Sequence, residues 1–276
     1  MKNIEINPFY FNEYREEKIT FEELAHFHNV SRPTLTKYFK ESKLKTNKVL
    51  KREKINHNYF DIIESPIQAY LLGYFVADGC ITLKNNKYSI LKSVQFSCSE
   101  KDIELLELVQ KQFNLDTKIY KGKEYNIKNT SYISNPMCSI IFVSENLFNK
   151  LSLLGYGERK TYLDYGLPNI DKDLLKYFIL GYFDGDGSII ISEGIRKNNY
   201  KYKNIRFQIT SHNIFFLNQI KEWFIEQNIN STVKKIKNSY DLVITNKKDI
   251  IKIRNLFYDT KLGLKRKKNK LFNLGE

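Results

Sequence analysis

Cysteine is scarce in this 276-residue chain. Its three cysteines, Cys80, Cys98 and Cys138, form no Cys-X-X-Cys pair, and the four histidines complete no zinc pattern with them. That argues against a Cys/His structural metal and for a reducing compartment. Long apolar runs are also missing. No uncharged stretch approaches the roughly 18–20 residues that span a bilayer. The opening MKNIEINPFYF lacks the apolar core of a signal peptide. The expected setting is cytoplasm or nucleoid, with an organellar or phage-encoded origin left open. Acidic residues are outnumbered, 31 against 45 lysines and arginines, for a net charge of +14. A polyanion is therefore the expected partner, nucleic acid before an anionic membrane surface. An AT-rich genome would produce the same excess in an ordinary protein.

What is present supports a packed chain. Hydrophobic residues make up 42% and aromatics 14%, which excludes wholesale disorder. The length accommodates one large domain or two to three small ones.

Residues 1–45 form the first part. ITFEELAHFHNVSRPTLTKYFKESKL (19–44) reads as two short helices around a tight turn. Leu24, Ala25 and Phe27 give the first its apolar positions, and Leu35 and Phe39 the second. Asn29 suits a left-handed turn, and Ser31 suits an N-cap. The pattern resembles a helix-turn-helix, whose second helix enters the major groove. Arg32, Thr34, Thr36, Lys37 and Lys40 would then face DNA. Any helical hairpin with a solvated face has the same pattern. Residues 46–65 are read as a linker. The stretch KLKTNKVLKREK (43–54), with six cations and one acid, is a linker or helix end over phosphates, or a solvated face.

From residue 66 onward the chain repeats itself. SVQFSCSEKDIELLELV (93–109) aligns without gaps to NIRFQITSHNIFFLNQI (204–220), and GERKTY (157–162) echoes LKRKKN (264–269). Two halves are expected, 66–165 and 166–276. Each runs helix, two strands, helix, two strands, helix. A duplicated unit predicts a pseudo-two-fold pair within one chain.

Each half opens on a related stretch, AYLLGYFVADGCI (69–81) and YFILGYFDGDGSI (177–189). Ser65-Pro66-Ile67-Gln68 forms a capping box with proline at the first helical position. Ala69, Gly73 and Ala77 then recur every four residues, with Gly181 and Gly185 in the second copy. A stripe of small residues lets two helices pack closely. Each helix should stop at Asp-Gly, so Asp78 and Asp186 arrive together at negative helix C-termini. Two carboxylates there suit a hard divalent cation. Such a cation can activate water for phosphodiester hydrolysis. A single Asp-Gly after an apolar helix is commonly just a turn; two at matching places outweigh that. An EF-hand is excluded, because Ile189 and Ile195 fall where the loop needs glycine and glutamate.

LLGYFVADG (71–79) and ILGYFDGDG (179–187) resemble the paired motifs of single-chain LAGLIDADG homing endonucleases, a similarity covering roughly 66–276. The resemblance implies an α+β fold of duplicated αββαββα units, with the motif helices at the interface and a saddle of antiparallel strands along DNA. It implies cleavage of both strands of a long asymmetric double-stranded site, leaving 3′ overhangs, by a monomer acting as a pseudo-dimer. It assigns the catalytic divalent metal, Mg²⁺ by expectation, to Asp78 and Asp186, with backbone near Gly79 and Gly187. It also places a basic residue near the metal, for which Lys160 and Lys267 are positioned. Val76 stands where the second motif has Asp184, a departure at a place that is not the usual metal ligand.

Alternating strands fit the saddle. Ile81 and Leu83 oppose Cys80, Thr82 and Lys84; Val94, Phe96 and Cys98 oppose Gln95 and Ser97; Ile205, Phe207 and Ile209 oppose Arg206, Gln208 and Thr210. Ser188 and Ser192 join the polar face. The basic segments 196–206, with Arg196, Lys197, Lys201 and Lys203, and 261–270, with Lys265 and Arg266, are read as phosphate contacts. Competing readings keep the fold without cutting: a DNA-binding regulator, or a maturase acting on intron RNA. An intein is disfavoured, because the chain starts at Met1 and ends LGE rather than His-Asn.

Overall fold

Each helix of the N-terminal unit starts at a side-chain oxygen. In the computed structural model, which describes residues 4–86, 89–124, 133–195 and 201–273, Asn7, Thr20, Ser31 and Thr46 accept from Phe9, Glu23, Thr34 and Val49 N–H groups. They cap α1 (Pro8–Arg15), α2 (Phe21–Phe27), α3 (Arg32–Glu41) and α4 (Asn47–Glu53). The turn between α2 and α3 contains Asn29 at φ 51°, the left-handed geometry asparagine tolerates. Tyr14, Leu24, Ala25, Leu35 and Phe39 form the core. The unit runs to Ile55, past the boundary expected at 45. The reason is Asn47: its N–H donates to Tyr14 Oη at 2.8 Å, and its Nδ2 donates to the Tyr14 carbonyl at 2.6 Å. The basic stretch read as a linker or helix end is therefore a helix of this unit.

The second unit begins at Asn56. Its first half contains α5 (Pro66–Asp78), β1 (Cys80–Asn86), β2 (Ser89–Ser99), α6 (Glu104–Phe113), β3 (Tyr120–Lys121), β4 (Met137–Val143) and α7 (Glu145–Leu153). Its second half contains α8 (Lys172–Asp186), β5 (Gly187–Ile195), β6 (Lys201–Ser211), α9 (Ile214–Glu226), β7 (Thr232–Ile236), β8 (Ser239–Ile244) and α10 (Lys247–Phe257), followed by α11 (Lys265–Phe272). Two four-stranded antiparallel sheets result, ordered β1-β2-β4-β3 and β5-β6-β8-β7. This is the duplicated αββαββα arrangement.

Strand pairing corrects the gap-free alignment of the halves. Cys80 faces Gln95 and Ser188 faces Gln208. Gln95 therefore corresponds to Gln208, not to Arg206. A two-residue slip preserves the alternation of faces, so the sequence pattern could not reveal it.

The expected capping box is present, with Ser65 Oγ accepting from Gln68 N–H and Gln68 Oε1 accepting from Ser65 N–H. The small stripe is an interface. A Cβ on Gly73 would lie 1.9 Å from the Phe178 carbonyl oxygen, and one on Gly181 would lie 2.0 Å from that of Tyr70. No side chain fits there, so α5 and α8 approach backbone to backbone. Beneath each sheet, aromatic rings lock the helix pair to the strands: Phe75 to Phe96 to Phe113, and Phe183 to Phe207 to Phe257. All three cysteines are free. Among the described residues no helix is long and apolar enough to cross a membrane.

Candidate active site at the paired helix ends

The close helix crossing decides where the two motif carboxylates sit. α5 ends at Asp78 and α8 at Asp186, with Gly79 and Gly187 as extended C-caps. A Cβ on Gly185 would lie 2.3 Å from Ala77 Cβ and 3.1 Å from Asp78 Oδ2. The end of one motif helix is thus packed on the acid of the other. Both carboxylates reach solvent. Withdrawal from water in the cleft, followed by the charge of Asp78, pushes the Asp186 carboxyl up to about 6. The Asp78 carboxyl is also raised, mainly by the same desolvation. A cleft of about 230 Å³ beside Asp186 is lined by Lys160, Tyr165, Tyr182, Ser211 and His212, among others.

Lysine occupies matching places in the two copies. Lys160 Nζ donates to the Gly79 carbonyl, and Lys267 Nζ donates to the Gly187 carbonyl at 2.6 Å. Each ammonium lies near the phenylalanine one turn back, 5.7 Å from the Phe75 ring centroid and 4.8 Å from that of Phe183. Lys267 is 3% exposed and also donates to the Phe183 and Asp184 carbonyls, at 2.6 and 2.8 Å. All three of its protons are engaged. Burial lowers the Lys267 ammonium to about 8 and lowers that of Lys160 as well. Lys160 sits on a single 3₁₀ turn, 160–162, and is partly exposed.

The carbonyls of Gly79 and Gly187, expected as backbone contributors to a metal site, instead accept ammonium groups. Among the described residues no group of three or more His, Cys, Asp and Glu side chains converges. Two hard carboxylates open to water do fit a divalent ion such as Mg²⁺, which retains several of its own waters.

Two residues at this site escaped the sequence analysis. Tyr74 and Tyr182 stand one turn before Asp78 and Asp186. Their hydroxyls lie 2.8 and 3.4 Å from the Ser97 and Thr210 carbonyls and also within reach of the neighbouring aspartates, whose rise they partly offset when their one proton turns to the carboxylate. The signal was their shared place in the two motifs.

The expected DNA-facing residues fall into distinct groups. Thr82, Gln95, Ser97, Ser188, Ser192, Arg206 and Gln208 lie on sheet faces opposite the core, with Lys84 exposed at the strand end. Gln95 donates to Ser97 Oγ and Gln208 to Thr210 Oγ1, repeating one pattern in both sheets. Lys203 pairs with Glu193. Lys201 begins β6, and Arg196 and Lys197 lie outside the described residues. Lys265 pairs with Glu104 and Arg266 with buried Asp102, so these charges tie α11 to the first half. Within the N-terminal unit Arg32, Thr34, Thr36, Lys37 and Lys40 share the exposed side of α3, where Arg32 pairs with Glu22 and Lys37 with Glu41.

Comparison with known proteins agrees with this geometry. Residues 179–275 match the family model described as LAGLIDADG endonuclease, and residues 65–155 that described as LAGLIDADG-like domain. Among solved structures, the I-SmaMI LAGLIDADG homing endonuclease bound to cleaved DNA matches at TM-score 0.52 and 15% identity, over 76% of this chain and 87% of that one. I-LtrWI bound to target DNA matches at 0.52 and 18%, over 74% and 87%. The meganuclease I-CpaMI bound to uncleaved DNA matches at 0.52 and 16%, over 75% and 89%. A search of curated proteins gave no match.

Proposed function

Because the chain belongs to the LAGLIDADG homing endonuclease family, we propose that it cuts both strands of a long, asymmetric double-stranded DNA site as a monomeric pseudo-dimer. The observation that carries this reading is the repeated helix end, a terminal aspartate followed by a glycine carbonyl that a lysine caps: Asp78 and Lys160 at the end of α5, Asp186 and Lys267 at the end of α8, at one end of a shared helix interface.

Asp78 and Asp186 would hold a divalent ion, Mg²⁺ by preference, which when bound supplies water activation and charge stabilisation for phosphodiester hydrolysis. Lys267 contributes a fixed positive charge, because all three of its N–H groups are already donated. It is a poor candidate for a proton acceptor and a good one for offsetting phosphate charge. Lys160 has the same capping role with more exposure. Tyr74 and Tyr182 partly offset the burial that raises their aspartates. The polar sheet residues, Gln95, Ser97, Arg206 and Gln208 among them, read base edges. The α3 face, carrying Thr34, Thr36 and Lys40, extends the recognised site as a helix-turn-helix. The DNA-bound neighbours support the choice of double-stranded DNA as partner.

Incubation with a randomised double-stranded library, with Mg²⁺ and with EDTA, followed by end sequencing, tests the reading. Metal-dependent ends at one long motif with 3′ overhangs are expected. Sequence-selective binding without any cut would instead favour a regulator, and selective binding to intron RNA a maturase.

A further inference from the structure

The two halves differ at one buried place. Asp184 is 2% exposed, and the first motif has Val76 there. Asp184 Oδ2 accepts from the Tyr70 hydroxyl of α5 at 2.9 Å and from the Leu264 backbone N–H at 2.8 Å. Its Oδ1 is buried without a partner among the described residues. Leu264 is the N-cap of α11 and brings no side-chain cap of its own. The Asp184 carboxylate therefore fastens the start of α11 to both motif helices at once. Lys267 lies within the first turn of α11, its N–H donating to the Leu264 carbonyl at 3.0 Å. Its ammonium then returns to the main-chain carbonyl of Asp184 itself. The first half has no such fastening: Val76 cannot accept, and the turn carrying Lys160 follows Arg159, which is left-handed at φ 55°.

We infer that Asp184 is a positioning residue, which sets Lys267 on the C-terminal carbonyls of α8 and so governs cutting of one DNA strand but not the other. The proposal rests on the endonuclease reading above. Two features make its effect positional rather than a matter of folding. The ion pairs Arg266–Asp102 and Lys265–Glu104 keep α11 docked without Asp184. Valine at the matching place of the first half is compatible with the same helix interface.

The test is strand-resolved nicking of the target by full-length Asp184→Val, Asp184→Asn, Lys267→Ala and Lys160→Ala proteins, together with hydrogen exchange at the Leu264 amide. Asp184→Val should slow, by roughly tenfold or more, the strand that Lys267→Ala slows, and leave the other strand unchanged. It should add nothing in a Lys267→Ala background. Asp184→Asn keeps an acceptor oxygen and should cut like the parent. Leu264→Pro, which removes the donor N–H at a φ of −67° that proline adopts and also shortens a buried side chain, should reproduce the strand-selective loss if Asp184→Val fails to fold. Equal slowing of both strands, or additive loss with Lys267→Ala, overturns the proposal. Exchange at Leu264 does not depend on cleavage. Loss of protection in Asp184→Val and retention in Asp184→Asn support the fastening, and unchanged protection in both overturns it. If the parent protein cuts no DNA, the endonuclease reading fails on its own terms, and exchange still judges the fastening.

Discussion

Lys267 Nζ donates to the carbonyl oxygen of Gly187 across 2.6 Å, closing the C-cap of the helix that ends in Asp186. Helix C-termini carry partial negative charge and unsatisfied carbonyls. The lysine answers both and leaves the aspartate free to face a ligand. The same relation holds between Lys160 and Gly79. The duplicated pair therefore couples a structural need to a chemical one.

Burial of Lys267 has a consequence for stability. Its pKa falls from the usual 10.5 to about 8, so folding releases its proton between those values. Its contribution is present above about pH 10.5 and is lost as pH falls through about 8. Relative to Lys267→Met, the parent protein should lose on the order of 1–3 kcal/mol of stability between those limits. Below pH 8 the difference should be flat. Urea denaturation of the two proteins across that range checks it.

The helix crossing admits no side chain. Gly181→Ala places a methyl 2.0 Å from the Tyr70 carbonyl oxygen, and α5 and α8 must separate. A loss of about 2–3 kcal/mol is expected, at the upper end of overpacking effects. Urea unfolding measures it. A loss under about 0.5 kcal/mol, typical of surface sites, would mean the helices do not approach this closely.

Much of this interface was legible in sequence, and the reason is local. The Ser65–Gln68 box, the four-residue spacing of Ala69, Gly73 and Ala77, and the repeated Asp-Gly are short-range patterns, each with one physical explanation. The strand alternation was equally plain. The register of the repeat was not, because a slip of two residues leaves every side chain on its own face. Nor could sequence show that Arg266 and Lys265 serve Asp102 and Glu104, far back in the chain. A basic run looks alike whether it meets phosphate or carboxylate. Asp184 looked like a second motif acid, and only the fold reveals that it accepts from Leu264.

Asp102 is buried, and its charge is matched by Arg266, whose Nε lies 2.7 and 2.8 Å from its two oxygens. Arg266→Ala leaves that carboxylate buried and unpaired, at an expected cost of about 2–3 kcal/mol, reduced from the fully buried case because the arginine is half exposed. Adding Asp102→Asn should recover part of the loss. A thermal or urea double-mutant cycle reads the coupling.

Metal use should fail on the acid side. Asp186 titrates near 6 because the cleft withdraws it from water and Asp78 lies beside it. A divalent ion needs the carboxylate ionised. The Mg²⁺ concentration for half-maximal cleavage should therefore climb as pH drops through about 6 and level off above about 7. Metal titrations of cleavage at pH 5.5 and 7.5 compare the two regimes.

The measurement that tests the central claim most directly is double-strand cleavage by Asp186→Asn, paired with its affinity for the same DNA. The account predicts that cleavage is abolished while binding stays close to that of the parent protein. Normal cutting by Asp186→Asn would contradict the assignment of the paired aspartates to metal-dependent hydrolysis.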